Sequence, residues 1–245
     1  MTNESFRREI VAAGTAAQTD KVFPHHYDKP YSKCLQRFRG NNSFAMLEIG
    51  YGSGAGVNFW RAVFPGAFVY CFDRDSEGSE DRLKVIKVDQ SDLDSLRQGV
   101  GQIEHPIDLI IDDGSHHPSH QLMTFSYLFQ DLLRDNGVYS IEDIETSYWR
   151  SGSLYGYVMN YGLNDPWSVV EAFKLASDYV NRRFLCEEDK NLLQYRMMSI
   201  GLNPESVELI ESVLFSQNCI LCDKGESTNQ QDAPYEHQMA SMRFL

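Results

Sequence analysis

"LEIGYGSGAG", residues 47–56, joins an apolar run to a glycine-rich turn, and the amphipathic stretch "GVNFWRAVF" follows at once. This succession predicts a strand, a tight turn and a helix N-terminus. Gly50, Gly52 and Gly54 allow backbone conformations and close approaches that a side chain would block. Downstream, short apolar runs keep alternating with helical stretches: after "FAMLEIG" come "AFVYCFD", "LKVIKVD", "IDLIIDD" and "GVYSIED". Such alternation predicts an α/β fold, Rossmann-like, with a mostly parallel sheet wrapped by helices.

Each predicted strand ends in an acidic residue or a glycine, which gathers polar chemistry at the carboxyl edge of the sheet, where open α/β sheets bind ligands. In "SHQLMTFSYLFQDLL", Leu122, Phe125, Phe129 and Leu132 recur at helical spacing and are expected to face the sheet, with Ser119 as the N-cap. "SVVEAFKLASDYVNRRFL" reads as a later helix, and "VELIESVLFSQNCILCDKG" as a closing antiparallel strand pair. Within that pair Cys219 and Cys222 make a C-x-x-C. On a strand, positions i and i+3 point to opposite faces, so the two are expected to be core or edge cysteines and not a redox or zinc pair. The organisation expected is one domain over residues 1–224, with a helical N-terminal segment at 1–40, a Gly- and aromatic-rich lid at 146–168, and a polar tail at 225–245.

The 245 residues suffice for a sizeable core, and the formal net charge of -13 disfavours nucleic acid and anionic lipid as partners. The N-terminal "MTNESFRREIVAAG" carries charges where a signal peptide needs an apolar core, and no apolar run approaches the roughly 20 residues of a membrane span. Five cysteines without a disulfide pattern suit a reducing compartment. A cytoplasmic location is expected.

Taken alone, the glycine loop is ambiguous, because Gly50, Gly52 and Ala55 also satisfy the dinucleotide pattern G-x-G-x-x-A. Two carboxylates tilt the reading. Glu48 precedes the first glycine, where it would meet a cationic ligand, and Asp73 ends the next strand, where it could accept both hydroxyls of a ribose. An acidic lining of this kind suits S-adenosylmethionine, with its sulfonium and ammonium. Ser53 belongs to the same loop, and Asp89, Gln90 and Ser91 in "VDQSD" would lie beside it, near an adenine.

"IIDDGSHHPSH", residues 110–120, ends the fourth predicted strand and "SIEDIETSYW" the fifth. Adjacent strands lie about 4.8 Å apart, so Asp112, Asp113, Glu142 and Asp143 can meet in one pocket. That many carboxylates are costly together unless a cation neutralises them, and oxygen donors suit Mg²⁺, Mn²⁺ or Ca²⁺ better than zinc. His117 and His120 read as capping or solvating the helix start. His116, three residues past Asp113, could reach a group bound to that aspartate's metal and act as a general base near neutral pH.

"LEIGYGSG", "VDQSD", "IIDDGSHH" and "IEDIETSYW", in this order, resemble the class I S-adenosylmethionine-dependent O-methyltransferases that act on sugars of natural products. The resemblance is to the metal-dependent macrolide sugar methyltransferases of the mycinamicin and macrocin type, with rhamnosyl O-methyltransferases and cephalosporin hydroxylase-like proteins as relatives. "TDKVFPHHYDKPY" is similar to that family's segment ahead of the first strand. The macrolide enzymes carry a long N-terminal extension with no counterpart in this sequence.

The resemblance implies a class I methyltransferase fold and Mg²⁺- or Mn²⁺-dependent methylation of a sugar hydroxyl, such as that of a deoxysugar, on a glycoside or glycan. It implies Asp113, Glu142 and Asp143 as metal ligands and His116 as the base, with Asp113 sharing in catalysis. Glu48, Gly50, Gly52 and Asp73 would hold the cofactor, Asp112 would lie near its methionine end, and Thr19, Asp20 and Lys21 would fold over it. Tyr148, Trp149 and Tyr155, with Tyr157, Tyr161 and Trp167, would form an acceptor lid, since aromatic faces pack on sugar rings. A homo-oligomer is expected. A catechol or phenol acceptor on the same fold, or a non-catalytic binding protein, are the alternatives.

Overall fold

The computed structural model describes residues 2–154 and 156–226. In chain order its helices are α1 (Asn3–Ala17), α2 (Asp28–Cys34), α3 (Ala55–Val63), α4 (Leu93–Val100), α5 (Pro118–Asp131), α6 (Val169–Val180), α7 (Glu187–Ser199) and α8 (Pro204–Glu208). Its strands are β1 (Ala45–Ile49), β2 (Phe68–Asp73), β3 (Gly78–Glu80), β4 (Leu83–Lys87), β5 (Ile107–Asp112), β6 (Leu133–Glu142), β7 (Gly152–Leu154), β8 (Tyr157–Met159), β9 (Ile210–Ser216) and β10 (Cys219–Lys224). Among the described residues eight strands form one sheet in the order β3-β4-β2-β1-β5-β6-β10-β9, while β7 and β8 pair separately.

The five predicted core strands all appear, and β4, β2, β1, β5 and β6 run parallel. The closing pair is antiparallel, as the sequence predicts: β10 runs against both β6 and β9. The chain moves outward from β1 to β2 and then β4, and returns to the other side of β1 with β5. The order therefore reverses between β1 and β5, and a cleft opens at such a reversal outside the carboxyl ends of the strands.

Each sheet face carries its own core. On one face α4, α5 and α6 lay Leu96, Leu122, Phe125, Phe129, Val169 and Phe173 over Leu47, Ile110, Tyr139 and Ile141. On the other, Phe6, Ile10, Tyr27 and Tyr31 from the N-terminal segment join Val57, Phe59 and Trp60 of α3 over Met46, Val69 and Leu109. Cys222 packs in the first core and Cys219 in the second, both free, as alternation along β10 requires.

The helix start differs from expectation. α5 begins at Pro118 with His117 at the capping position, while Ser119 Oγ pairs with His117 Nδ1 at 2.8 Å. Proline suits the first turn because its missing N–H would have no helical partner there. The structure also adds α7, whose periodicity is obscured: Leu193 and Met197 face inward while Leu192, Tyr195 and Met198 are exposed. No helix among the described residues is long and apolar enough to cross a membrane. The expected polar tail lies outside the described residues from 227 onward.

Candidate active site

Two cavities open at the carboxyl edge of the sheet, and they share Gly50, Gly52 and Asp113. The first runs along the ends of β1, β2 and β4 and is lined by Asp73, Arg74, Asp89, Gln90 and Ser115, with Tyr157 of β8 across from them. The second lies on the other side of the glycine loop, walled by Thr19, Asp20, Glu48, Ser53, His116 and Asp143.

The turn that separates them depends on its glycines. Gly50 has φ +100, and a Cβ there would stand 2.1 Å from the carbonyl oxygen of Asp113. The missing side chain is what lets β1 and β5 stay together past their ends, where Asp113 N–H donates to Ile49 O at 3.0 Å. Gly52 has φ +50, but a Cβ there would meet nothing within 4 Å and would project into open space.

Along the first cavity, Asp73 accepts from the backbone N–H groups of Tyr51, Asp75 and Ser76 at 2.9, 3.0 and 2.7 Å. Burial pushes its carboxyl up, but these donors outweigh that and hold it below the ordinary value. Asp89 binds its own loop through Ser91, with Oγ at 2.6 Å. Gln90 braces two loops, donating to Asp112 Oδ1 at 2.7 Å and accepting from Ser115 N–H at 2.8 Å. Asp112 itself differs from expectation: it is fully buried, held also by Tyr139, and lines neither cavity. Burial raises its carboxyl to about 6. Its role here is to anchor Gln90 from beneath.

Lys21 stands at the centre of the carboxylates. The family resemblance implies that it folds over a cofactor; in the structure its Nζ lies 2.5 Å from Asp113 Oδ2, 2.5 Å from Glu142 Oε2 and 3.2 Å from Glu48 Oε1, completely buried. Burial disfavours the ammonium, yet the three carboxylates outweigh it and hold its pKa well above the ordinary range. Burial raises Glu48 to about 7 and Glu142 well above the ordinary range, because the one ammonium does not offset the loss of water around them and the nearby Asp113 carboxylate adds to the rise. Glu48 Oε1 also accepts from Trp60 Nε1 at 3.1 Å. The second oxygen of Glu142 accepts from the hydroxyl of Tyr31. Both oxygens of Glu142 are thus engaged by the protein.

The structure consequently gathers a different trio from the one the resemblance implies. Ligand atoms of Asp113, His116 and Asp143 all lie within 4.8 Å of one another on the wall of the second cavity. His116 Nε2 stands 3.9 Å from Asp113 Oδ1 and 3.6 Å from Asp143 Oδ2. His116 and Asp143 both adopt left-handed backbone, φ +54 and +52, which residues other than glycine seldom do and which turns both side chains toward one point. Two carboxylate oxygens, with further carboxylates behind, are donors that fit a hard divalent cation, and the His116 imidazole stands beside them. The open space at Gly52 and the acidic walls fit a cationic nucleoside in the adjoining cleft.

Of the expected lid, Tyr148 is exposed and Trp149 half-buried, and Tyr155 lies outside the described residues. Tyr157 faces the first cavity and packs edge-on to His120, ring centroids 4.7 Å apart. Tyr27 and Tyr31 lie in the quoted "TDKVFPHHYDKPY" segment but receive no role from the sequence, and Asn218 is not picked out; all three bind the site carboxylates from remote parts of the chain. The only signal for Asn218 is an asparagine between two predicted strands, the usual mark of a tight turn.

No protein-family model matches the chain. Among curated proteins it is 36% identical over 140 residues to the 8-demethyl-8-alpha-L-rhamnosyl tetracenomycin-C 2'-O-methyltransferase of Streptomyces olivaceus, covering 54% of this chain and 36% of that one. It is 33% identical over 136 residues to the mycinamicin VI 2''-O-methyltransferase of Micromonospora griseorubida, covering 52% of this chain and 33% of that one. The matched segment is thus about a third of each relative. Among solved structures, the MycE methyltransferase from the mycinamycin biosynthetic pathway, in complex with Mg and SAH, superposes with TM-score 0.73 at 23% identity over 89% of this chain and 55% of that one. That likeness establishes the fold. The chain has the Rossmann-like class I methyltransferase fold, and its sequence relatives are sugar O-methyltransferases.

Proposed function

We propose that the protein is an O-methyltransferase that moves a methyl group from S-adenosylmethionine to a sugar hydroxyl of a glycoside or glycan, with Mg²⁺ or Mn²⁺ at the site. The observation that carries this reading is the junction of the two cavities: the cleft at the glycine loop meets the Asp113, His116 and Asp143 cluster at Gly50, Gly52 and Asp113. The names of the sequence relatives supply the acceptor class.

Asp113 and Asp143 would hold the cation, while Gly50, Gly52, Ser53, Asp73, Asp89 and Gln90 would line the cofactor. When bound, the ion supplies orientation and acidification of the acceptor hydroxyl, and the sulfonium supplies an electrophilic methyl group. A sugar hydroxyl is a very weak acid, so a base must remove its proton as the new O–CH₃ bond forms. His116 Nε2 faces the space between the two aspartates and takes that proton. Holding the two reactants at the shared wall supplies much of the rate. Tyr148 and Trp149 pack on the acceptor as part of the 146–168 lid. We place the reaction in the cytoplasm, in a homo-oligomer whose unit is a single domain.

The test is methyl transfer to rhamnosides and other deoxysugar glycosides, with a catechol as the competing acceptor, in the presence and absence of EDTA. Activity on a glycoside that is lost in EDTA and in Asp113→Asn, and depressed in His116→Ala at unchanged S-adenosylhomocysteine affinity, is the expected result. Full activity in EDTA removes the metal, and transfer to catechol alone removes the sugar.

A further inference from the structure

Each of the two aspartates at the proposed cation site has one oxygen committed to the protein and one turned toward His116. For Asp113 the committed oxygen is Oδ2, on Lys21 Nζ, and Oδ1 faces His116. For Asp143 it is Oδ1, which accepts from the Tyr27 hydroxyl at 2.6 Å and from Asn218 Nδ2 at 2.9 Å, while Oδ2 faces His116.

Asn218 comes from the two-residue turn between β9 and β10, where it takes the left-handed conformation at φ +60. It grips three consecutive residues. Its Nδ2 donates to Asp143, its carbonyl accepts from Ile144 N–H at 3.3 Å, and its Oδ1 accepts from Glu145 N–H at 2.9 Å. Tyr27 closes the same ring: its hydroxyl accepts from Asp143 N–H at 3.1 Å and from Asn218 Nδ2 at 3.1 Å. His25 stacks on Tyr27 with centroids 5.3 Å apart and reaches Asn218 Nδ2 at 3.2 Å. Asp143 sits in a strained left-handed conformation, and these contacts from two remote segments hold it there.

We propose that Tyr27 and Asn218 are positioning residues that fix Asp143 with Oδ2 on the cation site, as Lys21 does for Oδ1 of Asp113. The segment "TDKVFPHHY" therefore serves the cation site as well as walling the cavity through Thr19 and Asp20. Groups that orient a metal's ligands typically contribute 10- to 100-fold to metal affinity. The inference rests on the metal reading given above and specifies which residues outside the ligand set govern it.

The test measures Mn²⁺ binding to the purified full chain by electron paramagnetic resonance, with S-adenosylhomocysteine affinity in EDTA and the melting temperature recorded alongside. Tyr27→Phe removes only the hydroxyl, and Asn218→Gly removes the amide while suiting the left-handed turn. Each is expected to weaken Mn²⁺ binding roughly 10- to 100-fold and leave cofactor affinity in EDTA within about twofold. A merely structural role would move cofactor affinity and melting together with the metal. If the parent binds Mn²⁺ and both variants bind it within twofold of the parent, the positioning role is overturned and the metal reading stands. If the parent binds no Mn²⁺, both fall.

Discussion

Gly50 and Gly52 sit two residues apart in one loop, yet the structure assigns them opposite consequences when a single methyl is added. In Gly50→Ala the new Cβ lands 2.1 Å from the Asp113 carbonyl oxygen and 2.9 Å from its carbon, with φ at +100. Backbone in that region costs a residue other than glycine roughly 1–3 kcal/mol, and forcing apart two packed backbones costs a further 1–3 kcal/mol or so. At about 2–4 °C per kcal/mol for a chain of this size, the melting temperature should fall by roughly 5–20 °C. The displaced group is the backbone of Asp113 itself, so Mn²⁺ affinity should fall with it. In Gly52→Ala the Cβ meets nothing within 4 Å, so only the left-handed penalty of about 1–2 kcal/mol applies. The methyl instead enters the cleft, and S-adenosylhomocysteine should bind at least tenfold more weakly, about 1.4 kcal/mol, at nearly unchanged Mn²⁺ affinity. Differential scanning fluorimetry and calorimetric titration of both variants check this. Equal melting shifts, or a Gly50→Ala protein that melts within 2 °C or so of the parent, would refute the argument that Gly50 is required by backbone approach.

Lys21→Met removes the ammonium shared by the buried Glu48 and Glu142 and the partly exposed Asp113, and loss of one partner in a buried ion cluster typically costs about 3–5 kcal/mol; urea unfolding that moves by less than 1 kcal/mol or so would contradict the central place given to Lys21. His120 is lowered from 6.5 to about 4 by burial, helped by the neighbouring His117. Between these values the unfolded chain binds the proton and the folded one does not, so stability is fully present above about 6.5 and is lost as pH falls toward 4. His120→Gln should flatten the melting temperature's dependence on pH in that window, and an unchanged slope would show that the ring is not desolvated. Tyr157→Ala removes the ring that lines the first cavity from β8 and should weaken S-adenosylhomocysteine binding roughly 5- to 30-fold, about 1–2 kcal/mol; wild-type affinity would detach the hairpin from the cofactor cleft.

Local patterns carry the fold because they report local physics. Five apolar runs of strand length, each closed by a carboxylate or glycine and separated by helical stretches, specify a parallel sheet, and all five are strands in the structure. The alternation along "NCILCDKG" is enough to send Cys219 and Cys222 to opposite faces. The same patterning brings Asp113, His116 and Asp143 to one edge, since residues that leave the ends of adjacent strands must arrive together.

What the sequence leaves open is which oxygen of which carboxylate remains available. Asp112 and Asp113 are neighbours, and so are Glu142 and Asp143, but successive residues leaving a strand point to opposite sides. Asp112 and Glu142 go inward, to Gln90 and Tyr139 and to Lys21 and Tyr31, while Asp113 and Asp143 turn to the cavity. That division is made by Lys21, Tyr27 and Asn218, which lie 92, 116 and 75 positions from the aspartates they hold. Sequence by itself determined the sheet, the glycine turn and the set of acidic groups at its edge, because each is fixed by neighbours a few residues away. Only the tertiary structure decided the division of labour among those groups, because in a buried cluster the protonation and orientation of each carboxylate depend on donors that the fold brings from the far ends of the chain.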